Sequence, residues 1–97
     1  MKIKTKSGFE CNINENKFAD WRYIRAAAEV NSGKEAKILK GITFIVPFIL
    51  GDEQEEALMD HLKDDDGIVS TIKIVEEFRE IETLAGEKVK KSKPSPD

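Results

Sequence analysis

The sequence predicts an α+β protein, mostly α, in which an N-terminal β-hairpin packs on about four short helices and a disordered C-terminal tail follows. Three observations carry this. Residues 2–13 alternate apolar and polar side chains about a Gly-containing turn, the period of a half-buried hairpin. Apolar residues between 17 and 85 recur at helical spacing, cut by Asn31-Ser32-Gly33, Gly51-Asp52 and Asp64-Asp65-Asp66-Gly67. Beyond Gly86 come four lysines, two prolines and no large apolar residue except Val89, the composition of a disordered charged tail over 87–97. At 97 residues, a single globular domain over 1–86 is expected.

In the hairpin, Phe9, Cys11 and Ile13 share one face, and Ile3 faces the same side from the partner strand. A lone hairpin is marginal in water, so this face must lie on helices. Asn14-Glu15-Asn16 signals a turn and a cap before a first helix over about 17–30. Phe18, Trp21, Ile24 or Arg25, and Ala28 give its inner stripe, which leaves Tyr23 as the surface aromatic. Gly33 suits the left-handed position after that helix. A second helical stretch over about 34–50 is weakened at Gly41 and Pro47, and reads as two short pieces or one bent helix. Asp52, with Glu55 three residues on, restarts a helix over about 52–63 with Ala57, Leu58, His61 and Leu62 inward. Ser70 or Thr71 caps the last helix, about 71–85. Its stripe of Ile74, Val75, Phe78, Ile81 or Glu82, and Ala85 is the strongest in the chain, and Gly86 ends it.

Charge bounds the function classes. The formal net charge is -3, which argues against a general nucleic-acid binder, since that needs a positive field to displace counterions. The charge is uneven: Lys2, Lys4 and Lys6 are basic, 52–66 is strongly acidic, and the tail is basic again. Solvated faces are the ordinary account, and basic-end to acidic-middle self-association is the alternative. The single cysteine, Cys11, allows no intramolecular disulfide. Met1 leads straight into a Lys-rich strand, so no secretory signal is expected. The uncharged run Ile42–Leu50 is well short of the ~20 apolar residues of a spanning helix, so no membrane anchor is expected.

Candidate chemistry is sparse. Asp64-Asp65-Asp66-Gly67 has the look of a calcium loop. With Gly67 at its sixth position, however, Leu62 and Lys73 would fall where an acidic ligand and a bidentate Glu are needed. An acidic surface turn is the better reading. His61 has no metal spacing around it and reads as a structural or half-exposed histidine. Cys11 has no base partner apparent and reads as a small buried thiol. No phosphate loop, dinucleotide fingerprint or nucleophile elbow occurs. No enzyme, metal or cofactor is expected.

Three segments carry a resemblance. They are Asp20-Trp21 in the first helix, Leu50-Gly51-Asp52-Glu53-Gln54 between the second and third, and Leu62 to Val69 around the acidic turn. With the order of elements, they make the chain, over roughly residues 2–86, resemble the small tail assembly chaperones of long-tailed bacteriophages and prophages of Gram-positive bacteria. The resemblance implies a protein that binds and solubilises the tape-measure protein, recruits tail-tube protein around it, and is absent from the mature virion. Such a protein acts in the cytoplasm of the bacterial host. Many such proteins also have a longer form made by ribosomal frameshifting, and the codons of Lys90-Lys91-Ser92-Lys93 are the candidate A-rich slippery stretch.

A chaperone for a helical client needs an apolar groove, a soluble exterior and several copies, possible as a homo-oligomer, rather than catalytic residues. The run Ile42–Leu50 holds more apolar side chains than one face of a short helix buries. Phe44, Ile45, Phe48 and Ile49 are therefore the candidate partner-binding residues, against a reading in which the whole run is core. The competing function is a small phage structural or head–tail adaptor protein retained in the virion. A helix-turn-helix DNA regulator is a third class, disfavoured by the few surface cations on the last two helices.

Overall fold

In the computed structural model, which describes residues 1–92, the alternation of the first segment becomes an antiparallel hairpin. Strand β1 is Lys2–Lys4 and β2 is Glu10–Asn12, with Ile3 opposite Cys11 and Lys4 opposite Glu10. Ile3, Thr5, Phe9, Cys11 and Ile13 are buried, while Lys2, Lys4, Glu10 and Asn12 are exposed. Gly8 takes the turn at φ 96, a conformation open to glycine without steric cost.

Both edges of this small sheet are covered by helices. In the turn after β1, Thr5 Oγ1 and Ser7 Oγ donate to Glu77 Oε2 (2.5 and 2.6 Å), and the Lys6 amide donates to Glu80 Oε2 (2.7 Å). Lys88 Nζ reaches the Lys2 carbonyl. On the β2 side, Gln54 Oε1 accepts from the Asn12 amide (2.6 Å), and its Nε2 donates back to the Asn12 carbonyl (2.8 Å). Gln54 thus does for Asn12 what a third strand would do, and the edge offers no free pair there.

Among the described residues three α-helical elements follow, not four. α1 is Trp21–Val30, α2 is Glu35–Leu62 and α3 is Thr71–Ser92. The expected first helix splits: Glu15–Ala19 is a 3-10 helix capped by Asn14, and α1 starts afresh from Asp20. Asp20 has extended backbone (φ -70, ψ 135) and its carboxylate accepts the Arg22 amide. That restart sets a new helical phase. The inner face of α1 is Tyr23, Ala26, Ala27 and Val30, with Trp21 72% exposed and Ala28 outside. Phe18 is half-buried, and Tyr23 packs against the core instead of facing solvent.

The expected second and third helices join as α2, which leaves helical geometry only at Gly51 (φ 78, ψ 163). Gly41 does not weaken it. A Cβ there would sit 2.6 Å from the Ala26 carbonyl and 2.7 Å from Val30 Cγ2, so Gly41 is the notch that lets α1 approach. Pro47 is carried inside the helix. At the Gly51 break, Gln54 Nε2 accepts responsibility for the Leu50 carbonyl by donating to it at 2.6 Å.

The last helix overruns its expected end. Gly86 keeps a negative φ, and α3 continues to Ser92, so 87–92 are helical rather than part of a disordered tail. The remainder of that expected tail, 93–97, lies outside the described residues. Half-buried Val89 and the reach of Lys88 to β1 give the added turn something to hold. The core joins the hairpin to all three helices, and its most completely buried side chains are Phe78, Ile3, Ile49, Leu58 and Ile81. No helix among the described residues is long and apolar enough to cross a membrane.

Candidate docking face

α2 presents its run 42–50 to two environments. Ile42, Ile45, Val46, Ile49 and Leu50 are buried, at the i, i+3, i+4, i+7, i+8 spacing of a core stripe. Of the four residues expected to meet a partner, Ile45 and Ile49 are therefore core, each 2% exposed. Phe44 is 37% exposed and Phe48 is half-buried. One helical turn apart, these two rings stack at 5.2 Å between centroids, tilted by 22°.

Cations flank the pair. The Arg22 guanidinium lies 5.0 Å from the Phe48 centroid and Lys17 Nζ 5.5 Å from it. Lys17 also donates to the Phe48 carbonyl at 2.9 Å. Arg22 is aimed by Asp20, which accepts from its Nε (3.1 Å) and its terminal nitrogen (3.0 Å). Those hydrogen bonds hold the Asp20 carboxyl below its ordinary range. Beside the rings runs a groove of about 370 Å³ between α1 and α2, lined by Arg22, Arg25, Ala26, Glu29, Lys40 and Phe44. The outward side of α1 adds exposed Trp21 and Ile24.

A second apolar surface lies across α2. A cleft of about 230 Å³ is walled by Ile42, Val46, Met59, Val69 and Ile74, with Glu55 at its border. Ile68 and Ile72, in the approach to α3 and its first turn, are 62% and 70% exposed. Partial burial, then Asp52 and Glu56, push the Glu55 carboxyl up.

The polar clusters join elements distant in sequence. Tyr23 donates its hydroxyl to Glu82 in a cleft of about 400 Å³ between α1, α2 and α3. Burial pushes both groups up: the phenol rises further because the carboxylate faces it, while the Tyr23 hydrogen bond partly offsets the rise of Glu82. Ser7 Oγ lies between Glu77 and His61 Nε2 (2.9 Å). Each hydroxyl has one proton, and Glu77 takes those of Thr5 and Ser7, so His61 donates to Ser7. In a nucleophilic triad the imidazole stands between hydroxyl and acid. Here the hydroxyl stands in the middle, and the cluster ties the hairpin turn to α2 and α3. His61 is exposed, with its ring 5.7 Å from that of Phe9. Cys11 is buried, and burial followed by Glu77 pushes its thiol up. Asp64 closes its own turn: its Oδ1 accepts the amides of Asp66 and Ile68, both at 2.9 Å. Among the described residues, no group of three His, Cys, Asp or Glu is placed to hold a metal ion.

Sequence reasoning missed Lys17 and Arg22 as neighbours of the aromatic pair and inverted Trp21 and Tyr23. The signal was Asp20 followed by Arg22, an N-cap inside what looked like one helix. No protein-family model, curated protein or solved structure matches the chain.

Proposed function

We propose that the protein is a tail assembly chaperone of a long-tailed bacteriophage or prophage of a Gram-positive host. In this reading it is non-enzymatic and acts in the host cytoplasm. It binds and solubilises the tape-measure protein, promotes assembly of tail-tube protein around it, and is absent from the mature virion. One observation carries the reading: a stacked aromatic pair, Phe44 and Phe48, left at the surface of a helix whose neighbouring Ile45 and Ile49 fill the core. Exposed clustered apolar side chains mark interaction sites, and a shallow groove between two helices suits a helical client. The segments that resemble the family hold the fold together: Asp20 caps α1, Gln54 closes the β2 edge, and Asp64 closes the acidic turn.

The test is co-expression with the tape-measure protein of the same gene cluster, whose gene is expected just downstream. The wild-type chain keeps that client soluble, and Phe44→Ser with Phe48→Ser loses this while retaining helical circular dichroism. Mass spectrometry of purified particles is expected to find the chain absent. Its presence there in stoichiometric amount overturns the chaperone reading in favour of a structural or head–tail adaptor protein. The nucleotide sequence around Lys90-Lys91-Ser92-Lys93 tests for the frameshifted long form.

A further inference from the structure

The Phe44–Phe48 face differs from the other apolar surface in the charge around it. Lys17 and Arg22 stand over the Phe48 ring, and Arg25 and Lys40 line the adjoining groove. Two acids lie among these four cations. Asp20 is engaged by Arg22 at 3.0 Å and Glu29 by Lys40 at 3.8 Å. Arg25 has no ion pair among the described residues. The cleft of Ile42, Val46 and Met59 is instead bordered by Glu55, with Asp52 and Glu56 acting on it. A chain of net charge -3 therefore has one apolar face set in locally positive surroundings.

We infer that the Phe44–Phe48 face and the basic groove beside it select an amphipathic helix whose apolar ridge is flanked by carboxylates. The inference rests on the reading of this face as the seat of a helical client and adds the chemistry of the client segment. Apolar side chains of the ridge cover the exposed side of Phe44 and the groove floor at Ala26, while flanking Glu or Asp residues reach Arg25, Arg22 and Lys40. α1 is 10 residues long, so the groove beside it accommodates about three turns, or about 15 Å, of a partner helix. Charge around such a face sets which partner is accepted and how fast it arrives. A single-stranded nucleic acid is the weaker match. Its bases need free aromatic faces, whereas the two rings stack on each other and cations cover Phe48.

The test uses the full chain and two designed helical peptides of about 18 residues, about five turns. Both share one Leu ridge; one is flanked by Glu and the other by Lys. Calorimetry is expected to show the Glu peptide binding at least about tenfold more tightly, with an advantage that shrinks from about 50 to about 500 mM NaCl. Arg25→Glu, at an exposed position, is expected to narrow or reverse that preference without changing the thermal melt. Amide chemical shifts are expected to move in α1 and around Phe44. Equal affinities, a preference for Lys, tighter binding of a thymidine oligonucleotide, or shifts confined to the acidic half of α2 overturns the inference. That last pattern marks docking at the Ile42–Met59 cleft. Because designed peptides are the probe, failure to bind a tape-measure protein sinks the proposed function and leaves this preference standing, and the reverse also holds.

Discussion

Gly41 of α2 meets Ala26 of α1 so closely that a Cβ on Gly41 would sit 2.6 Å from the Ala26 carbonyl oxygen. That contact sets the approach of the two helices that carry Phe44, Phe48 and Arg22. Gly41→Ala gains helix propensity of about 1 kcal/mol. Its Cβ also pushes against the Ala26 carbonyl oxygen and Val30 Cγ2, and such overpacking costs about 1–3 kcal/mol. Net destabilisation is expected, read as a lower midpoint in urea. A midpoint unchanged or raised refutes the close approach.

Ile45 and Phe44 are neighbours in sequence with opposite roles. Ile45→Ala removes a side chain that is 2% exposed and is expected to cost about 2–5 kcal/mol. Phe44→Ala, at 37% exposure, is expected to cost under about 1 kcal/mol. Urea denaturation of the two variants decides it, and similar costs contradict the division of this run into core and surface.

Gln54 closes the β2 edge through the Asn12 backbone and also holds the Leu50 carbonyl at the Gly51 break. Gln54→Leu keeps the volume and removes these bonds, with an expected loss of about 1–3 kcal/mol. The Asn12 amide is expected to exchange faster with solvent, selectively against Ile3 and Cys11. Unchanged protection of Asn12 removes the edge-closing role.

Tyr23 and Glu82 make stability fall as pH rises. Burial raises the Glu82 carboxyl above its ordinary value of 4.5, so the folded chain holds that proton more tightly than the unfolded chain. Its contribution is complete below the unfolded value and is lost as pH rises through the raised folded value. Tyr23→Phe removes the donor that makes an ionised Glu82 tolerable. The variant is therefore expected to lose more stability at about pH 7 than at about pH 4, where the acid is largely protonated. An equal loss at both refutes the pairing.

The Tyr23 phenol is also raised above its ordinary value of 10.0, by burial first and then by Glu82. Its stabilising share is lost only as alkaline pH approaches the raised folded value. Tyr23 is the single tyrosine, so ultraviolet absorbance titration reads it without overlap from another phenol. Ionisation is expected only above the free-phenol midpoint or together with unfolding. A midpoint at or below 10.0 in the folded state refutes burial.

Period and punctuation alone determined much of this protein. Alternation made Ile3, Phe9, Cys11 and Ile13 one face of a hairpin, because a strand turns successive side chains to opposite sides. The spacing of Ile74, Phe78, Ile81 and Ala85 set the inner face of α3. Gly51 marked the break in α2, because its positive φ carries no steric penalty only in glycine. Tertiary structure decided what local pattern left equivocal. Asp20 reset the phase of α1, sending Trp21 outward and Tyr23 to Glu82. Gly41 stayed helical because α1 needed the space of its missing side chain. Gly86 stayed helical while the turn beyond it leaned on β1. Ile45 and Ile49 went inward and Phe44 stayed at the surface because a helix has one inner face, and only its packing against α1, α3 and the hairpin chooses which side that is.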